Sequence, residues 1–197
     1  MSDVAAILLA AGRGTRFGEE PKLLTPLSGK ALVRHAAEAA VGSSVDPVIV
    51  VTGHRSGEVA AALQGLPVEM IHNARFAQGM STSLKAGFAA LPATTRAAVI
   101  LLGDMPFVTA GLIDALVAGW REKGEPPALV PTFKGQRGNP VIIARELQAV
   151  IEGLSGDAGA GPILRGRPDV LEWPTTDSAI VQDIDTRDEL SKHQQSS

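Results

Sequence analysis

No cysteine occurs in the 197 residues, so disulfides, thiolate metal centres and a cysteine nucleophile are all excluded. Tyrosine is missing as well, and aromatic residues make up only 4% of the chain, which leaves no stacking platform for single-stranded nucleic acid. Basic residues are not in excess: the net charge is −3, whereas general nucleic-acid binding needs a strongly basic face. No apolar run approaches the roughly 20 residues of a membrane span. The opening MSDVAA lacks the basic n-region of a secretion signal. These absences lead us to expect a soluble cytoplasmic protein with neither nucleic acid nor membrane as a partner.

What is present is an ordinary globular composition, 45% hydrophobic and 20% charged, at a length that suits one domain. The expected division is a single domain over residues 1–190 and a frayed polar tail over residues 191–197. Short apolar runs predict strands over 4–9, 48–52, 68–72, 98–102, 128–131, 141–143 and 170–173. Between them, Ala/Leu-rich stretches predict helices over 31–41, 58–63, 81–91, 112–123, 145–152 and 161–164. Strands apolar along their whole length read as buried on both faces, so the expected fold is α/β: three layers around a mainly parallel, doubly wound, Rossmann-like sheet.

The segment Leu8–Leu24, LLAAGRGTRFGEEPKLL, carries the strongest functional signal. A buried strand opens into a loop with three glycines, two arginines and a following lysine, a pattern that can surround a polyphosphate with backbone N–H groups and cations. Neither of two better-known phosphate loops matches. The dinucleotide pattern GxGxxG begins with Gly12 and Gly14 but meets Phe17 where it needs glycine, and GxxxxGK[ST] fails at the same place. Taken alone, the segment also fits a plain strand-to-helix turn.

Ligands of such sheets sit beyond the carboxyl ends of the strands. Asp104 follows the apolar run AAVILLG, where a carboxylate suits a hard cation but equally a turn or helix cap. Asp185, in Asp183-Ile184-Asp185-Thr186, offers a second carboxylate with the same two readings.

LAAGRGTRFG (Leu9–Gly18) with Pro21–Leu24, GMSTSLKAG (Gly79–Gly87), GDMP (Gly103–Pro106), GQRGNPV (Gly135–Val141), GDAGA (Gly156–Ala160) and DIDT (Asp183–Thr186) follow one another in that order. On these pieces the chain resembles the MobA-like nucleotidyltransferases over nearly its whole length, most closely their molybdenum cofactor cytidylyltransferase branch. The resemblance implies a fold of the nucleotide-diphospho-sugar transferase type. It also implies transfer of CMP from CTP to the terminal phosphate of a molybdenum-pterin cofactor, with release of pyrophosphate. Lys22, Arg16 and Asp104 would be the catalytic groups, and Mg2+ would sit on Asp104 with Asp185 as second ligand. Leu9, Ala10, Ala11, Gly12, Arg13 and Gly14, together with Lys22 and Asp104, would hold the nucleotide.

Gly79, Ser81, Thr82 and Ser83 would meet the base or ribose, although the three hydroxyls suit helix capping equally well. Ala11 stands where the guanylyl branch carries glycine, which favours CTP over GTP. The acceptor side would use Arg137, Gly138, Asn139, Pro140 and Asp157, a set whose 135–140 stretch also fits a hairpin turn. An arginine that often follows the GDxGA segment is replaced by Gly161, with Arg165 or Arg167 as substitutes. A phosphate acceptor is already anionic, so no general base is needed, and His35, His54, His72 and His193 receive no role. The implied partners are CTP, a phosphorylated pterin and a molybdoenzyme or its maturation chaperone. Two other readings remain: a cytidylyl- or guanylyltransferase with another phosphorylated acceptor, of the methylerythritol phosphate type, and a non-catalytic pterin carrier.

Overall fold

The computed structural model describes residues 2–14, 17, 21–157 and 159–194. In chain order the elements are β1 (Val4–Ala10), β2 (Pro26–Leu27), β3 (Lys30–Ala31), α1 (Leu32–Val41), β4 (Val48–Thr52), α2 (Ser56–Ala62), β5 (Glu69–His72) and α3 (Met80–Ala90). They continue as β6 (Ala97–Leu102), α4 (Ala110–Glu122), β7 (Ala128–Phe133), β8 (Gln136–Arg137), β9 (Val141–Ala144), α5 (Gln148–Glu152), α6 (Gly161–Leu164), β10 (Val170–Pro174) and α7 (Arg187–Gln194).

The main sheet runs β10-β7-β9-β6-β1-β4-β5, with β8 paired to β7. β1 pairs in parallel with β4 and β6, β4 with β5, and β7 with β10; β9 alone of the path runs antiparallel, between β6 and β7. The carboxyl ends of β5, β4, β1 and β6 therefore reach one edge of the sheet side by side. Alternation along β1 explains the three layers. Val4, Ala6, Leu8 and Ala10 enter a core shared with α1 and α4, while Ala5 and Ile7 enter one shared with α3. Each face buries aliphatic side chains at about 25 cal/mol per Å2, which holds the sheet between its two helical layers.

Several expectations are corrected. Residues 145–152 form a 3-10 turn and then α5, rather than one helix. Residues 191–194 belong to α7, so the tail is shorter than its polarity suggests. The hairpin β2–β3 was not expected: its strands have two residues each, too few for a periodic signal. Its turn is nonetheless encoded, since Ser28 and Gly29 both take positive φ (49° and 81°), as a two-residue hairpin requires. Lys134 and Gly135 turn β7 into β8 in the same way, at φ 50° and 81°.

A third, small core decides the site. Phe17, on the glycine loop, is 3% exposed and packs with Leu27, Leu32, Ile184 and Leu190. The residue that breaks both common phosphate patterns is thus an anchor. It ties the N-terminal loop to the C-terminal segment that carries Asp185.

Candidate active site

A cavity of about 620 Å3 opens along the sheet edge where β5, β4, β1 and β6 end. One end is ionic. Lys22 sits in a 3-10 turn, and Asp104 two residues beyond β6. Lys22 Nζ donates to Asp104 Oδ2 at 2.7 Å and to Asp185 Oδ1 at 2.5 Å. The Ile184 N–H donates to the Asp104 carbonyl at 3.0 Å, which aligns the two acidic segments. Burial by itself would lower the pKa of Lys22; the charge of Asp104 and the hydrogen bonds to both carboxylates outweigh it and hold the ammonium above its ordinary value. Burial, reinforced by the charges of Asp185 and Asp104, raises Asp183.

Both aspartates are relieved of capping work. Thr109 caps α4, its hydroxyl accepting from the Leu112 N–H at 3.1 Å. Thr186 and Glu189 form a capping box on α7: Glu189 Oε2 accepts from the Thr186 N–H, and Thr186 Oγ1 from the Glu189 N–H. Asp104 Oδ1 is buried with no hydrogen-bond partner among the described residues. That orphaned hard oxygen, with Asp185 across the same ammonium, fits a divalent cation. No group of three or more His, Cys, Asp or Glu forms a metal cluster among the described residues, so phosphate oxygens and water would complete the shell, as Mg2+ accepts.

The glycine loop forms the middle of the cavity. Gly14 takes φ 60°, and a side chain there would stand 2.7 Å from Lys22 Cβ, so glycine lets the loop lie directly on the lysine. Leu9, Ala11, Gly12 and Arg13 also line the cavity, with the Arg13 guanidinium 5.6 Å from the centroid of the Phe76 ring. Ala10 does not: it is 1% exposed in the core. Arg16 lies outside the described residues.

The far end, after β5, is largely apolar: Phe76, Ala77 and Met80, with Gly79, Ser83 and Asp157. Gly79 takes φ 108°, and a Cβ on it would meet the Gly156 carbonyl at 2.3 Å, so the 156–157 loop crosses directly over it. Ser81 is 1% exposed and absent from the cavity wall. Thr82 is likewise interior, its hydroxyl accepting from Asn73 Nδ2 and lying 2.9 Å from the Gly79 carbonyl. Of the three hydroxyls only Ser83 lines the cavity.

Arg137, Gly138, Asn139 and Pro140 do not line it either. Arg137 is taken up by Glu172 Oε1 and the Leu164 carbonyl, and the Gly138 and Asn139 N–H groups by Pro131 and Ile180 carbonyls. The Lys134–Gly135 turn carries this stretch into β8. Arg167 makes a two-pronged pair with Asp169, and Arg165 is also absent from the wall.

Sequence reasoning missed Leu23, Phe76, Ala77, Leu102 and Gly103, which line the cavity. Apolar side chains carry no chemical signature. It also missed Asn73, buried behind the wall; an asparagine just past a strand, before a hydroxyl-rich helix start, was the available signal.

Comparison with known proteins bears on the family and the fold. Nicotine blue oxidoreductase of Paenarthrobacter nicotinovorans is 31% identical over 193 residues, covering 95% of this chain and 94% of that protein. Seven further curated relatives, each named bifunctional protein GlmU, are longer, and the chain spans only 23–34% of their length. Among solved structures, the Rv0371c homolog of Mycobacterium sp. strain JC1 superimposes with a TM-score of 0.85 at 27% identity, covering 98% of this chain and 96% of that one. Rv0371c of Mycobacterium tuberculosis, solved as a manganese complex, gives 0.81 at 24% identity over 100% of both chains. The model of the MobA-like NTP transferase domain matches residues 6–171, well over half of the chain, and the chain belongs to the MobA-like nucleotidyltransferase family.

Proposed function

We propose that the chain transfers CMP from CTP to the terminal phosphate of a molybdenum-pterin cofactor, releasing pyrophosphate. One observation carries the transfer reading: the Lys22–Asp104–Asp185 cluster beside the glycine loop, with its orphaned carboxylate oxygen. Phosphoryl chemistry of this kind depends on positioning and charge neutralisation. Backbone amides of the Gly12–Gly14 turn and the Arg13 guanidinium would hold the triphosphate, and Lys22 would offset charge growing on the leaving pyrophosphate. A divalent cation held by Asp104 and Asp185, Mg2+ in this reading, supplies further neutralisation of the phosphate oxygens when bound. Arg16 would add a second guanidinium to the triphosphate grip as a catalytic group.

The preference for CTP rests on Ala11, a residue of the cavity wall that stands where the guanylyl branch carries glycine; discrimination by one methyl is worth about 1–3 kcal/mol. The pterin acceptor rests on the family alone, because Arg137–Pro140 are engaged elsewhere and Asp157 lies against Gly79 at the apolar end. A molybdoenzyme, or its maturation chaperone, would then receive the product.

One observation favours a second reading: a relative named an oxidoreductase matches over almost the whole chain. In that reading the cavity takes a nucleotide as hydride carrier. Hydride transfer has no use for a lysine clamped between two carboxylates, so the transferase reading stands first. Pyrophosphate release separates the two. It is measured with Mg2+, CTP or GTP, and either a phosphorylated molybdenum-pterin or methylerythritol phosphate, alongside oxidation of reduced nicotinamide dinucleotide. Release with CTP and the pterin is expected. Release only with the other acceptor corrects the substrate, and hydride oxidation without release overturns the transferase reading.

A further inference from the structure

Asn73 lies one residue beyond β5, 5% exposed, and the structure determines which end of its amide faces where. Its Oδ1 accepts from the Arg75 N–H at 3.0 Å, and a backbone N–H can only donate. Nδ2 is therefore the atom that faces Thr82 Oγ1 at 2.8 Å and Ser83 Oγ at 3.0 Å, giving one hydrogen to each.

The two hydroxyls differ in what remains. Thr82 Oγ1 lies 2.9 Å from the Gly79 carbonyl and 3.0 Å from that of Arg75, so its own hydrogen is committed. Ser83 Oγ accepts from Asn73 and has no acceptor for its own hydrogen among the described residues. Ser83 is 4% exposed, yet it lines the cavity. Ser83 is largely buried, so few groups can reach its hydroxyl, and a ligand group at the cavity wall that supplies the missing acceptor is favoured.

The sheet order says which part of a nucleotide that group belongs to. Asp104 follows β6, on one side of β1; Asn73 and Ser83 follow β5, beyond β4 on the other side. Lys22, Asp104 and Asp185, which suit phosphates and their cation, stand at the first end, and Phe76, Ala77 and Met80 at the second. We infer that Asn73 is a positioning residue that turns the Ser83 hydroxyl hydrogen away from itself, so that Ser83 donates to the nucleoside moiety, meeting an acceptor atom of the base or ribose. The inference rests on the reading of the cavity as a nucleotide site.

Calorimetric titration with CTP, GTP and pyrophosphate in Mg2+ tests it, because pyrophosphate engages the ionic end without a nucleoside. Ser83→Ala is expected to weaken the better-bound nucleotide by about 3- to 10-fold and to leave pyrophosphate affinity unchanged. Asn73→Asp replaces the donating Nδ2 with an acceptor oxygen that takes back the Ser83 hydrogen, so it weakens the nucleotide at least as much. The double variant Asn73→Asp/Ser83→Ala is then no weaker than Asn73→Asp alone. If Asn73→Asp does not fold, Asn73→Ala with Ser83→Ala forms the same cycle, again with losses that do not add.

Nucleotide affinity unchanged in Ser83→Ala, an equal loss for pyrophosphate, or strictly additive losses would each overturn the role of this pair while leaving the nucleotide site standing. Wild-type protein that binds neither CTP nor GTP overturns the nucleotide reading and this inference with it.

Discussion

Lys22 is buried, doubly hydrogen-bonded and flanked by two carboxylates, so its replacement changes more than one charge. Lys22→Ala is expected to lower kcat by more than about tenfold, the scale of losing one preorganised electrostatic contact. Asp104→Ala removes a proposed cation ligand together with the lysine's partner, and should abolish turnover while the circular dichroism spectrum stays native. Steady-state pyrophosphate release checks both variants; wild-type rates in either refute the site assignment. Gly79 is a second sensitive position. Gly79→Ala would put a Cβ into the Gly156 carbonyl at a φ of 108°, with an expected loss of about 2 kcal/mol or more in denaturant unfolding. Lys22, Asp104 and Gly14 were legible in the sequence because charge and backbone freedom are properties of single residues. Ser83 and Thr82 were not separable there, since two neighbouring hydroxyls differ only in what surrounds them.

Among the elements, α7 links stability to the site through Thr186 and Glu189. Thr186→Ala should cost about 1 kcal/mol, the usual worth of an N-cap, and loosen the segment that presents Asp185. Hydrogen bonds from the Asp185 and Thr186 N–H groups hold the Glu189 carboxyl below its ordinary pKa. A depressed folded-state value means that this contribution is fully present above the unfolded value of about 4.3 and is lost as pH falls through the folded one. The difference in melting temperature between wild type and Glu189→Gln should therefore be largest near neutral pH and shrink below about pH 4; a constant difference contradicts the linkage. The longer helices and all seven strands of the main path were legible as Ala/Leu-rich stretches and short apolar runs. The hairpin β2–β3 and the division of residues 145–152 were not, because two-residue strands and a 3-10 turn carry no period of their own.

The whole molecule concentrates its chemistry on one edge of one sheet, so ligand binding should be visible as global stability. A nucleotide with Mg2+ at a hundred times its Kd should stabilise the fold by about 2.7 kcal/mol. Scanning calorimetry with and without a chelator checks this, and a shift that survives chelation argues against the carboxylate-held cation. No helix among the described residues is long and apolar enough to cross a membrane. The sequence by itself determined the alternation of strands and helices, the glycine loop and the two candidate acidic segments, because each is written in a contiguous run. Tertiary structure alone decided which of them meet. The antiparallel insertion of β9, the small core that joins Phe17 to Ile184, and the engagement of Arg137 by β10 all depend on residues far apart in the chain. So does the orientation of Ser83 by Asn73: a hydroxyl's donor or acceptor role depends on its neighbours in space, which no local pattern records.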